Sequence, residues 1–275
     1  MFTLNCNGSL LVVDKPLIMG IINVTPDSFY KESRFRGVDI ILDQAGKMLN
    51  DGAAFIDIGA QSTRPGNKEA GIEEELSRLI SAIDSIHKNF PEAIISVDTY
   101  HAKVARTAVG AGAAMVNDIS GGNADPAMLT TVGSLHVPYV CMHIRGNPDT
   151  MHEPMDYENI TREVMDYFIT KLELCRLAGI HDVIIDPGFG FSKRSFQNFE
   201  LLKNLSLFKL LQKPMLVGFS RKSTIYKTLG VTAAEALNGT TVLNTISLLN
   251  GANILRVHDV KEAAEVIKLV LAISC

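Results

Sequence analysis

The chain has 275 residues, 47% hydrophobic and 20% charged, with a formal net charge of −4. That suits one globular domain spanning residues 1–275, and no Pro-, Gly- or Ser-rich linker divides it. The acidic balance without a basic run argues against nucleic acid or membrane as a partner, and the absence of a leader pattern or a span of about 18 apolar residues makes the cytoplasm the expected location.

The first predicted element is a β-hairpin. Residues 3–6 and 9–13 flank Asn7-Gly8, a pair suited to the positive φ angles of a type I′ turn, and a plug over a barrel floor is the place expected for it. Eight short apolar runs follow, each stopping at a polar residue and then breaking into Gly, Pro, Ser or Thr. They cover residues 17–22 before Asn23, 55–58 around Asp57, 94–97 before Asp98, 114–116 before Asn117, and 138–142 before His143. The last three are 183–185 before Asp186, 215–218 before Ser220, and 254–257, which holds Arg256 and ends at His258.

Helical period fills the intervals. Leu76, Leu79, Ile80, Ile83 and Ile86 share one face, with Glu73 to Glu75 as a solvated first turn, and Ile160, Val164, Phe168 and Leu172 share another before Gly179. Short helices are expected near residues 102–109 and 127–132, with Asp125-Pro126 as an N-terminal signal for the second. Thr232 to Glu235 reads as a capping box. Strand and helix alternation of this kind closes into a (β/α)8 TIM barrel, an α/β fold whose functional loops lie at the carboxyl ends of the strands. The long stretches 24–37 and 60–71 are expected to be lids. The four Cys residues are far apart and are expected to be plain thiols.

The strand tips carry the chemistry. Asn23, Asp98, Asn117, Asp186, Lys222, Arg256 and His258 would converge on one mouth, whereas Asp57, Asp118 and Thr99 serve equally well as helix caps. Carboxylates and an Asn amide suit the edge of a flat heterocycle rich in N–H groups. Arg256 and His258, two apart on a strand, face one side and could grip phosphate oxygens. His87, His101, His136, His152 and His181 are expected at the surface.

The wording of the motifs is more specific. Asn23-Val24-Thr25-Pro26-Asp27-Ser28-Phe29, Ser62-Thr63-Arg64-Pro65-Gly66, Asp186-Pro187-Gly188-Phe189-Gly190-Phe191, Ser220-Arg221-Lys222-Ser223 and Arg256-Val257-His258-Asp259-Val260 together resemble the dihydropteroate synthases, over nearly the whole chain. The resemblance implies condensation of a hydroxymethyl-dihydropterin diphosphate with p-aminobenzoate, with Mg²⁺ as cofactor, in a homodimer. It implies that Asp98, Asn117, Asp186 and Lys222 hold the pterin. Asn23, Thr63, Arg64, Arg256, Val257 and His258 would address the diphosphate, Asn23 also as the metal ligand, and Asp27 would act in catalysis. Phe29, Pro65, Phe191, Lys222 and Ser223 would form the aminobenzoate pocket.

The chain departs from the family pattern at residues 30–34, at Ala60-Gln61, and at Ser192, which stands where Gly is frequent and so argues against a glycine-only backbone there. Competing readings are an aldolase using Lys222 as a Schiff-base amine, a barrel that transfers methyl groups from a methyl-pterin, and a pterin binder without activity.

Overall fold

Asn7 and Gly8 take φ angles of +53° and +90°, the left-handed pair that a tight hairpin requires. The turn joins β1 (Phe2–Cys6) to β2 (Ser9–Val13) in an antiparallel pair, as the sequence predicts. This is a computed structural model, and it describes residues 1–24, 34–60, 71–151, 153 and 155–274.

The predicted runs become β3 (Leu17–Asn23), β4 (Phe55–Gly59), β5 (Ile94–Asp98), β6 (Met115–Asp118), β7 (Tyr139–Met142), β8 (Val183–Asp186), β9 (Leu216–Val217) and β10 (Ile254–Val257). They form one 8-stranded parallel sheet in the order β8-β7-β6-β5-β4-β3-β10-β9. A bridge between Ile185 and Met215 joins the two ends and closes the barrel. Helices α1 (Arg34–Asn50), α2 (Ile72–Asn89), α3 (Ala102–Gly110), α4 (Met128–Leu135), α5 (Ile160–Leu177), α6 (Ser195–Lys203), α7 (Ser223–Leu229), α8 (Leu237–Leu249) and α9 (Val260–Ser274) surround it. Because each strand is covered on both faces, it reads in the sequence as a continuous apolar run.

Inside the barrel the period of two sorts the side chains into layers. Met19, Phe55, Met115, Val140, Ile184, Leu216 and Ile254 pack with Leu4, Cys6 and Val13 of the hairpin, so the hairpin seals the amino-terminal end of the barrel. Leu4 is 1% exposed, and burial of such a side chain contributes roughly 1.5–3 kcal/mol. Asn5 N–H donates to Asp182 Oδ2 at 2.6 Å and ties the plug to the strand floor. Two residues further along the strands, the layer turns polar with Asp57, Ser96, Asn117, Asp186 and Arg256.

Three local expectations need correction. Glu75 is fully buried and bonds His101 Nδ1 at 2.8 Å, so neither residue belongs to a solvated surface. Helix α8 begins at Leu237, because Thr232 and Glu235 close a separate turn in which the Glu235 carboxylate accepts the Thr232 N–H at 2.9 Å. Asp125 precedes α4 but reaches further than its own turn, accepting from Ala127 N–H at 2.9 Å and from Ala102 N–H, at the start of α3, at 2.8 Å.

Candidate active site

At the carboxyl end of the barrel the polar layer is organised around Arg256. Its Nε donates to Asp57 Oδ2 at 2.7 Å and its Nη2 donates to Asp98 Oδ2 at 2.6 Å. Asn117 Nδ2 donates to the same Asp57 Oδ2 at 3.0 Å. Burial acts to lower the Arg256 pKa, but Asp57 and Asp98 outweigh it and hold the guanidinium charged. Asp98 is pushed up to about 7, chiefly by burial, with Asp57, Glu75 and Asp118 adding to the rise and Arg256 opposing it.

Asp186, at the end of β8, is also buried, and burial raises its pKa against the pull of Lys222 and of the Gly188 N–H, which its Oδ1 accepts at 2.8 Å. Lys222 approaches from the turn after β9, donates to the Phe189 carbonyl at 2.6 Å, and lies 4.2 Å from the centroid of the Phe191 ring. Burial, and after it Arg256, bring its pKa down to about 8 although Asp186 and Asp98 pull the other way.

The turn after β8 is shaped by a close approach. Gly188 has φ +69°, and a Cβ there would lie 2.1 Å from the His143 carbonyl oxygen. The same turn carries Lys193, which is 7% exposed and donates to the carbonyls of Gly188 at 2.9 Å, Phe191 at 3.1 Å and His143 at 3.3 Å. Burial lowers its pKa to about 7. Ser192 takes φ +47°, held by its N–H donating to Met151 O at 2.6 Å and its Oγ accepting Arg145 N–H at 2.9 Å. The backbone there is left-handed, in a region that a residue with a side chain can reach, so it is not glycine-only, as the substitution implies.

Beside the polar ring, Tyr100, Ile119, Met142, Ile144, Met151 and Phe191 form a separate buried apolar cluster. Charged groups adjoining an apolar wall suit a flat, partly polar ring. At the rim, Ser220 Oγ lies 2.9 Å from His258 Nδ1 and accepts the His258 backbone N–H at 3.2 Å. Where the Ser220 hydroxyl donates to Nδ1, the neutral ring carries its proton on Nε2. Burial of the inner ring edge, together with Arg256, lowers the His258 pKa.

The structure thus brings together Asp98, Asn117, Asp186, Lys222, Arg256 and Phe191. His258 stands at the rim, Asn23 is exposed at the end of β3, and Ser223 opens α7. The Val257 side chain is packed in the main core, so only its backbone can serve a ligand. Asp27, Phe29, Thr63, Arg64 and Pro65 lie outside the described residues.

Asp57 and Lys193 belong to the site and were not singled out by their sequence context. Of the three residues read equally as caps, Asp118 accepts Ser120 N–H at 2.7 Å, Gly122 N–H at 2.8 Å and the Tyr139 hydroxyl at 2.7 Å, while Thr99 Oγ1 accepts His101 N–H at 3.2 Å. Asp57 faces the ring instead. Its position two residues after inward-facing Phe55 is the signal that separates it from the other two.

The pterin-binding enzyme family model matches residues 19–258. A dihydropteroate synthase of Escherichia coli is 41% identical over 267 residues, covering 96% of this chain and 94% of the relative. The structure of Xanthomonas albilineans dihydropteroate synthase with 4-aminobenzoic acid superposes with a TM-score of 0.92 at 34% identity, covering 99% of this chain and 98% of the other. The same enzyme in complex with 7,8-dihydropteroate superposes with a TM-score of 0.89 at 32% identity, covering 100% and 99%. The chain belongs to the pterin-binding enzyme family, among the dihydropteroate synthases.

Proposed function

We propose that this chain condenses 6-hydroxymethyl-7,8-dihydropterin diphosphate with p-aminobenzoate, giving 7,8-dihydropteroate and diphosphate for folate synthesis. The observation that carries the reading is the buried ring of Asp98, Asn117, Asp186, Lys222 and Arg256 beside an apolar wall, in a barrel shared with the dihydropteroate synthases.

In this reading the carboxylates of Asp98 and Asp186 accept pterin N–H groups and Asn117 both donates and accepts. Lys222 donates to the pterin from the other side. Breaking the bond between the hydroxymethyl carbon and the diphosphate oxygen leaves a cation that the pterin ring delocalises. The neutral aromatic amine then forms the new C–N bond, and its proton leaves to diphosphate or water. No covalent bond to the protein is required, so the work is positioning and charge stabilisation. Arg256 and the His258 imidazole at the rim meet the departing diphosphate, and Phe191, Lys222 and Ser223 border the aminobenzoate. The roles assigned to Asp27, Thr63 and Arg64 toward the diphosphate, and to Phe29 and Pro65 toward the aminobenzoate, rest on the motif resemblance.

Among the described residues no group of three or more His, Cys, Asp or Glu is placed to hold a metal. Asn23 offers one hard oxygen at the mouth, which fits Mg²⁺ carried in on the diphosphate better than a resident ion. When bound there, Mg²⁺ would offset the charge of the leaving group. Among the described residues no helix is long and apolar enough to cross a membrane. A cytoplasmic location and a homodimer are part of the same proposal by family resemblance, and exposed Leu229, Val242, Leu249, Leu269 and Ile273 on α7 to α9 are compatible with the dimer.

The test is direct. Purified protein with the pterin diphosphate, Mg²⁺ and p-aminobenzoate should release diphosphate and form dihydropteroate, and a sulfonamide should compete with aminobenzoate. No diphosphate release under these conditions would refute the reading.

A further inference from the structure

We propose that Asp57 is a positioning residue of the pterin seat: it fixes Arg256 and Asn117 to one another so that Asp98 can exchange its contact with Arg256 for the pterin edge. The inference rests on the pterin reading above and assigns to β4 a part that the motif resemblance does not.

Asp57 has no exposed surface, whereas the Asp98 side chain keeps 13%. One oxygen of Asp57, Oδ2, receives Arg256 Nε at 2.7 Å, lies 2.6 Å from Arg256 Nη2, and receives Asn117 Nδ2 at 3.0 Å. Asp98 meets Arg256 only through Nη2, at 2.6 Å. The two carboxylates on one guanidinium are therefore unequal. Asp57 is enclosed and holds two partners, and Asp98 is open toward the mouth and holds the guanidinium by one corner.

Strand order explains why β4 supplies this residue. In the sequence of neighbours β6-β5-β4-β3-β10, Asn117 lies two strands to one side and Arg256 two strands to the other. An inward carboxylate at the centre of that arc can reach both. Asn117 is assigned to the pterin edge and Arg256 to the diphosphate end, so Asp57 sets the distance between the two recognition points. Among the described residues no backbone N–H caps on Asp57, and its Oδ1 is buried without a partner. A side chain required only for folding would be expected to have both oxygens satisfied.

The charged groups around Asp98 and Arg256 are Asp57 on β4, Asp118 on β6, Asp186 on β8, Lys222 after β9 and Glu75 on α2. Removing the charge of Asp57 takes away a like charge beside Asp98 and leaves Arg256 to pair with Asp98 alone. Both effects favour ionised Asp98 and tighten its hold on Arg256.

Asp57→Asn keeps the shape and removes the charge. Calorimetry with 6-hydroxymethyl-7,8-dihydropterin should show at least an about tenfold weaker Kd near pH 8, and the pH at which affinity is half lost should move below that of the wild type. The KM for aminobenzoate should stay within about twofold, since that pocket lies on other elements. An unchanged Kd and an unchanged midpoint would overturn the proposal.

Because removing one partner of a buried pair endangers the fold, the same substitution is also placed in an Arg256→Met background, where both charges are absent. There it should weaken pterin binding by no more than about twofold further, and a full additional loss would overturn the proposal. A wild-type chain that binds no pterin overturns the pterin reading and this inference with it. A wild type that binds pterin while Asp57→Asn binds it equally well overturns this inference alone.

Discussion

Lys222 lies with its Nζ 4.2 Å from the centroid of the Phe191 ring, so the cation that serves the pterin seat also borders the aminobenzoate side. A desolvated cation–π contact of this kind contributes on the order of 1–2 kcal/mol. Phe191→Ala should raise the KM for aminobenzoate about tenfold and change kcat/KM for the pterin diphosphate by less than about threefold. Steady-state kinetics with each substrate varied in turn separates the two, and an equal loss on both would contradict this placement.

Pterin affinity should be bell-shaped in pH. Asp98 accepts N–H groups as a carboxylate, so binding rises as pH passes its pKa of about 7, and it falls as Lys222 loses its charge near its pKa of about 8. The optimum thus falls between those values. Lys222→Arg keeps the charge at all accessible pH and should abolish the alkaline limb while leaving the acidic one. Fluorescence titration of pterin across the range checks both limbs.

Lys193 predicts a stability slope. Its pKa is near 7 in the folded chain and near 10.5 as the ordinary value, so between these the unfolded chain binds more protons. Its contribution to stability therefore rises with pH across that window and is complete above it. Lys193→Met should remove about one proton's worth of slope from urea-unfolding free energies measured between those limits. An unchanged slope would mean that the three carbonyls keep the side chain protonated in the folded chain despite its burial.

Arg221 sits in the left-handed region at φ +56°, and its guanidinium bonds Asp259 twice, at 2.9 Å and 2.7 Å. Both Arg221→Ala and Arg221→Gly lose the ion pair, but only glycine is at ease with that backbone. The glycine variant should therefore be the more stable by about 1 kcal/mol. Chemical denaturation of the pair of variants tests it.

The eight strands were readable because each is covered on both faces and spells an uninterrupted apolar run, and Asn7-Gly8 was readable because the turn chemistry is local. Contacts between distant residues were not. Asp57 and Arg256 are separated by 199 positions, and the period of two from Phe55 separates Asp57 from the caps at Asp118 and Thr99 only once the packing shows that Phe55 faces inward. Glu75 shares its first turn with Glu73 and Glu74, yet it is buried and bonded to His101, a residue 26 positions away. At Ser192 the residue type argued only against a glycine-only backbone, and the bonds to Met151 and Arg145 that hold it left-handed join residues distant in the sequence. In each case the deciding contact is a tertiary one.

The hairpin that packs Leu4, Cys6 and Val13 under the strands makes the barrel a blind well, not a tube. Everything that enters must come past the rim carrying Ser220 and His258, and everything formed must leave by the same way. The stopper at one end thereby leaves arrival and departure to share a single door at the other.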